Sequence, residues 1–510
     1  MFIQHRSDQP LLDSAANALQ TIDNMFATLC ILLLPLTVVL AQPAGHEITS
    51  LPGWNGPLPS RMYSGYLPVG KTSGVLGHIH YWFIESENDP INDPVVYWTN
   101  GGPGGSGITT GLLTEMGAFQ LDVNSLSNNE SNSSTIPNLL YNPYTWSKVA
   151  NTVFVSQPKG VGFSYCDNVT TASECVNNDL TAAEDAYDFF INFFNAYPQY
   201  KKNDFYLTAE SYGGIYIPMF MDQIQTRGGV PNLKGAAIGD GCWGTKVGLC
   251  AFSSGKAQQI QVEFFQGHGM YDQPLYKRIN AACQTFTDEI VLTKPCKDVL
   301  DEMNQKIGTF DVYNIFDTCA NDELSLHEIR EKMLQTEVMV ENEYGGAHPQ
   351  LESNVNGALN DYSCGRNRVS AEWLSLPEVQ EALHVKGGTV GMKYNWGPYN
   401  VSGDLRPLYK QLAEKYRMWI YSGDTDACVP YWGTEEWTRE LGFSIRKDWH
   451  PWKAPIEKGG VAQRAGYVVD YDTPTNFKFI TVTGAGHMIP TYKPSFALEL
   501  FSKFLKDENL

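Results

Sequence analysis

Short apolar runs recur along this chain, and most of them end at glycine. Val95–Trp98, Thr152–Val155, Phe205–Thr208, Ala236–Ile238, Met418–Tyr421 and Phe477–Val482 are the clearest. Each is strand-length and nearly continuous in apolar character, the pattern of a strand buried on both faces. Leu180–Phe194 has helical spacing with acidic residues near its start, and a helix-like stretch runs from Gly213 to Gln225. Short buried strands alternating with helices predict an α/β protein with a mainly parallel central sheet. Upstream, residues 46–69 (HEITSLPGWNGPLPSRMYSGYLPV) are rich in glycine and proline and are expected to wrap the surface.

Between Gly241 and Gly365 the texture changes. Strand-like runs become rare, cysteines concentrate, and charged helical stretches appear. This predicts a core of residues 42–240 and 366–510 interrupted by a cysteine-rich cap at 241–365. The uncharged apolar run Phe26–Ala41 spans about 16 residues, short of the roughly 20 a membrane span requires. With small residues Val39 and Ala41 before Gln42, residues 1–41 read as a secretory signal. Its flank is unusually acidic (Arg6 against Asp8, Asp13 and Asp23), so Met25 is an alternative start. No later stretch resembles a transmembrane helix.

Four acceptor patterns for glycosylation, at Asn129, Asn132, Asn168 and Asn400, fit a secretory route. So does the cysteine content. Cys166 and Cys175 flank a short polar loop that they are expected to close. Cys242, Cys250, Cys283, Cys296, Cys319 and Cys364 crowd one region; without a CxxC spacing or nearby histidines they read as disulfides, and no metal is expected. Once Cys30 goes with the signal an odd number remains, leaving at least one thiol. The formal net charge of −20 makes nucleic acid and anionic membranes poor partners.

Chemistry concentrates where apolar runs stop. In Leu207-Thr208-Ala209-Glu210-Ser211-Tyr212-Gly213-Gly214 a strand ends, a serine follows, and glycines open a helix. This is the shape of a nucleophile elbow, which also brings helix-start N–H groups near the serine. Ala209 replaces the first glycine of the usual pattern. A serine hydroxyl needs a base and the base an orienting acid. His487, in TGAGHMIP, follows one strand; Asp424 and Asp426, in GDTDACVP, follow another, one aspartate to cap the turn and one for the histidine. The chain order Ser…Asp…His is that of the α/β-hydrolase arrangement. The glycine-rich Trp98–Gly107 lacks the lysine of a phosphate loop and fits a loop that lends N–H groups to an oxyanion.

WTNGGPGGSG, FVSQPKGVGFSY, AESYGG, GDTDACVP and GAGHMIP, in this order, resemble the serine carboxypeptidases. The resemblance spans residues 48–505. It implies an α/β-hydrolase fold with an inserted cap, Ser211 as nucleophile, His487 as general base and acid, and Asp426 as orienting acid. It further implies Gly102 and Tyr212 N–H groups as oxyanion hole. Trp98, Asn100, Gly101 and Glu210, with Glu115 as partner of Glu210, would read the free carboxylate of a peptide C-terminus, favouring acidic pH. No cofactor is implied. The protein would act in the secretory pathway, in a lysosome or vacuole or outside the cell, as monomer or homodimer. The chain departs from the family pattern at Gly105, where a cysteine is usual, at Ala118 for proline and at Ser156 for an acid. The usual partner of the missing cysteine matches Cys364, so Cys364 and Cys428 are the candidate thiols. A related acyltransferase shares the triad but commonly alters the positions matching Asn100 and Glu210; a protective, binding role is a third reading.

Overall fold

The apolar runs pair into one sheet in the computed structural model. It describes residues 43–121, 125, 136–169, 174–251, 254–283, 286–288, 292–317, 368–386, 395–396, 402–456 and 460–510. The strands are β1 (Glu47–Ile48), β2 (Met62–Val69), β3 (Gly77–Ile84), β4 (Val95–Thr99), β5 (Asn151–Val155), β6 (Tyr165–Cys166), β7 (Phe205–Glu210), β8 (Leu233–Gly239), β9 (Arg417–Gly423), β10 (Ile445–Pro455), β11 (Ala462–Tyr471) and β12 (Lys478–Val482). Their spatial order is β1-β2-β3-β5-β4-β7-β8-β9-β12-β11-β10, with β6 beside β3. The block from β5 through β12 in this order is parallel. Antiparallel strands flank it on both sides. This is the expected α/β-hydrolase architecture.

Two layers of helices explain why the central strands are apolar throughout. Along β4, Val95 and Tyr97 join one core while Val96 and Trp98 join the other. Met418 and Ile420 of β9 divide from Trp419 and Tyr421 in the same way. The first core is closed by α1 (Asp179–Ala196), through Phe189, Phe190 and Phe193, and by α2 (Gly213–Arg227). The second is closed by the C-terminal helix Pro494–Lys506, through Leu500, Phe501 and Phe504. Asn178 and Thr181 cap α1 reciprocally, each side chain accepting from the other's backbone N–H at 2.9 Å.

Within 241–317 the described residues form three helices, Gly255–Gly267, Gln273–Ala282 and Lys294–Ile307, and no strand. Ser254, Asp272 and Thr293 cap them. They enclose their own cluster, including Phe264, Leu275 and Met303. Disulfides join Cys166 to Cys175, Cys242 to Cys250 and Cys283 to Cys296. Cys428 belongs to none of these pairs; Cys319 and Cys364 lie outside the described residues. So do residues 1–41, Asn129, Asn132 and Asn400, whereas Asn168 is exposed in the Cys166–Cys175 loop.

One expectation fails. Residues 46–69 do not merely wrap the surface: β2 lies inside the sheet, with Met62 and Tyr63 fully buried. Gly65 is a packing requirement there, since a Cβ would meet the His46 ring at 2.5 Å.

A buried ion pair ties the loop after β5 to α1. Lys159 Nζ lies 2.5 Å from Asp185 Oδ2, both side chains almost fully buried, and Ser73 donates to the other carboxylate oxygen. Lys159→Met, which strands Asp185, should lower unfolding free energy by about 3–5 kcal/mol in denaturant titrations. Adding Asp185→Leu should recover most of that loss.

Candidate active site

The four strands β7, β8, β9 and β12 end side by side. Glu210 pairs with Gly239, Gly239 with Tyr421, and Gly423 with Val482. Whatever follows each strand is therefore delivered to one edge of the sheet.

Ser211 follows β7 with φ of 60°, the left-handed conformation that turns a strand abruptly into a helix. Its backbone is pinned on both sides: its N–H donates to Gly239 O, and its C=O accepts from Cys242 N–H, each at 2.9 Å. The small flanking residues face each other across the elbow, because a Cβ on Gly213 would lie 2.3 Å from Ala209 Cβ. Alanine at 209 is tolerated while glycine stands at 213. Gly101 fits against the elbow from the β4 side, and a Cβ there would sit 2.4 Å from Tyr212 N. The Gly101–Gly102 turn thus lies directly against the start of α2. The Tyr212 hydroxyl is held away from it, donating to Asp179 Oδ1 at 2.7 Å.

His487 and Asp426 meet as expected. His487 Nδ1 and Asp426 Oδ2 are 2.8 Å apart, and both residues are buried. Asp426 also accepts backbone N–H groups from Cys428 at 2.7 Å and Val429 at 3.0 Å, which fix its plane. The two aspartates divide their work: Asp424 accepts from Gly484 N–H at 2.6 Å and so braces the loop carrying the histidine. That loop is also tied to the segment that follows helix Lys294–Ile307. His487 N–H donates to Tyr313 O at 2.7 Å, and the two rings lie 5.1 Å apart between centroids. No motif marked Tyr313 in the sequence.

The remaining predicted residues form a second buried network one position from Ser211. Asn100 is its hub. Its Oδ1 accepts from Trp98 Nε1 at 2.9 Å and from Gly111 N–H at 3.0 Å. Its Nδ2 donates to Glu115 Oε1 at 2.8 Å and to Glu210 Oε1 at 2.7 Å. Trp98 reaches the cluster through this amide. Gly111 and Glu115 lie on the wide helix Ile108–Met116, where Leu112 N–H reaches five residues back to Gly107 O. A Cβ on Gly111 would strike the Trp98 indole at 2.2 Å.

Burial shifts these acids upward. Glu115 is pushed up to about 7, chiefly by desolvation, against the pull of its bonds to Asn100 and Glu210. Glu210 is held well above the ordinary glutamate range by desolvation and by the charge of Glu115 beside it. Two buried carboxyl groups this close resist carrying two charges, and both are pushed toward the acid form.

Asp240, which follows β8, stands beside the histidine pair and escaped notice in the sequence. Asp240, Asp426 and His487 each bring a potential ligand atom within 4.8 Å of the others. Asp426 Oδ2 is already engaged by His487 and Val429, and its Oδ1 by Cys428, so the group is built as a hydrogen-bonded set.

A family model described as serine carboxypeptidase matches residues 52–507. The chain is 32% identical to serine carboxypeptidase-like 20 of Arabidopsis thaliana, across 95% of this chain and 98% of that protein. It is 31% identical to serine carboxypeptidase 1 of Hordeum vulgare, across 92% of this chain and 94% of that one. It is also 31% identical to the lysosomal protective protein of Mus musculus, across 92% and 95%. Among solved structures it is similar to KEX1(DELTA)P, a prohormone-processing carboxypeptidase from Saccharomyces cerevisiae. The TM-score is 0.65 at 21% identity, covering 91% of this chain and 96% of that one, a likeness of fold.

The acid pair links folding to pH. A carboxyl group raised on folding contributes stability that is complete below its unfolded value, 4.5 for Glu115, and is lost as pH rises through about 7. The shift corresponds to about 3 kcal/mol. Thermal melts should therefore show Glu115→Gln/Glu210→Gln gaining stability relative to the wild type as pH rises from about 4.5 to about 8.

Proposed function

The chain belongs to the serine carboxypeptidase family, and from that premise we propose that it hydrolyses the C-terminal peptide bond of peptides and proteins through an acyl-enzyme on Ser211. His487 Nε2 takes the Ser211 proton as Oγ attacks the carbonyl carbon, and Asp426 holds the imidazole by its Nδ1–H. Gly102 and Tyr212 N–H groups receive the oxyanion. His487 then returns the proton to the departing amine, and water repeats the sequence to free the acyl group. The balance closes with protein groups and water alone.

One observation carries the exopeptidase reading: the buried Asn100–Glu115–Glu210 cluster, adjacent in sequence and space to the nucleophile. An endopeptidase has no use for buried acids at this position. In the acid form, Glu210 donates to the terminal carboxylate of the substrate alongside Gly101 N–H and one Asn100 amide N–H released from its carboxyl partner, with Glu115 holding the other amide N–H and Trp98 keeping the amide in orientation. Ionised, the pair would repel the same carboxylate. Binding therefore favours acidic pH and weakens as the pair loses its proton.

The inserted segment serves as a cap over the site, a role supported by the Tyr313 contact to His487. The three disulfides among the described residues and the exposed acceptor Asn168 support the secretory pathway. No helix among the described residues is long and apolar enough to cross a membrane. The acidic preference fits a lysosomal or vacuolar setting.

The test is product analysis on matched N-blocked peptides, one ending in a free acid and the other in an amide. Release of only the last residue from the free acid, fading toward neutral pH and abolished in Ser211→Ala, is expected. Equal release from both peptides would refute the carboxylate-reading role. Glu210→Gln should keep kcat within roughly tenfold while flattening the rise of KM with pH.

A further inference from the structure

Asp240 occupies the strand end between the nucleophile and its acid, and its own bonds are incomplete. It is fully buried, with φ of 44°. Its backbone N–H donates to Tyr421 O at 2.8 Å, and its Oδ1 accepts from Gly423 N–H at 2.9 Å. Oδ2 meets no donor at all. An ionised carboxylate with one bare oxygen, sealed from water beside the anion of Asp426, would carry a heavy desolvation cost. An acid whose Oδ2–H donates to Asp426 would carry none of that charge. Asp426 has room for it. Each carboxylate oxygen takes two hydrogen bonds; Oδ2 is filled by His487 and Val429, while Oδ1 holds only Cys428.

We propose that Asp240 is a positioning residue for the triad: kept as the neutral acid, it donates through Oδ2 to Asp426 and fixes the carboxylate that orients His487. This rests on the Ser211–His487–Asp426 assignment above. Four titratable groups face Asp240. Asp426 comes from the loop after β9, Glu210 from the end of β7, His487 from the loop after β12, and the Tyr421 phenol from β9. Burial opposes ionisation of Asp240, and the Asp426 and Glu210 carboxyl groups beside it act in the same direction. Burial likewise holds Tyr421 neutral. Asp240 also spans the two loops physically, because Gly423 opens the turn to Asp426 while Gly239 O holds Ser211 N–H.

The experiment is the rate at which a serine-directed organophosphate modifies Ser211, followed from about pH 5 to about pH 8.5, with melting temperature recorded for every variant. The reagent has no carboxyl terminus, so the result does not depend on the carboxypeptidase reading. Asparagine reproduces the acid's pattern of one donor and one acceptor and cannot ionise. Asp240→Asn should match the wild type within about twofold at about pH 5, and Asp240→Ala should react roughly tenfold slower, the effect of one lost hydrogen bond to a charged group. The ratio of the Asp240→Asn rate to the wild-type rate should not fall with pH, since asparagine cannot lose its donor. An alanine variant as fast as the wild type, or an asparagine variant as slow as alanine, would overturn the proposal. So would a ratio that falls with pH; loss of rate in alanine and its rescue by asparagine, with melting temperatures level, is the readout that a purely structural role for Asp240 would not give.

Discussion

The parallel register of β7, β8, β9 and β12 is the constraint on which the site rests. Backbone hydrogen bonds set Glu210 level with Gly239, and Gly239 level with Tyr421. Side chains that start within a few residues of those ends have no route except to a common edge. The chain must then turn sharply while neighbouring loops crowd in. Glycine supplies the space: a Cβ at Gly423 would lie 2.2 Å from Gly486 O, and one at Gly214 2.1 Å from Cys242 O. The glycines that punctuate the apolar runs are the means by which the loops approach closely enough to share protons.

The same closeness excludes water, and that decides the electrostatics. Carboxyl groups dominate this edge, and burial makes their charged forms costly. The structure resolves the conflict in two ways. Asp426 gathers three hydrogen bonds that fix its carboxylate toward the imidazole. Glu115 and Glu210 share one amide and are displaced upward, toward the acid form. Carboxyl groups of like chemistry are thus given different surroundings by the number of hydrogen bonds that reach them.

Much of this was legible because each piece is local. An apolar run stopping at glycine announces a strand end, and serine, aspartate and histidine at three such ends announce a triad. The Asn100 network was not local. Asn100 and Glu210 are separated by 110 positions and converge only through the sheet; the network was reachable through the family resemblance alone. Asp240 stood in the same kind of glycine turn after a strand as the others, but an aspartate in a turn is ordinarily a cap, and nothing nearby in sequence revealed Asp426 beside it. The outer strands were missed for a different reason. β10 is largely exposed and charged, with no apolar run to mark it, and β3 carries histidines inside the sheet. His80 is fully buried there and reaches the Ser64 hydroxyl at 3.0 Å, an arrangement a hydropathy pattern reads as a break.

The proposed contact of the protonated Glu210 and Glu115 pair with the terminal carboxylate is tested most directly by counting protons when a product-like peptide binds to Ser211→Ala. Calorimetry in buffers of different ionisation enthalpy gives that count at each pH. The account predicts that a free-acid peptide takes up close to one proton on binding above about pH 7, where the pair begins to ionise, and almost none at about pH 5, while the matching amide takes up none. Binding of the free acid without proton uptake across that range would contradict it.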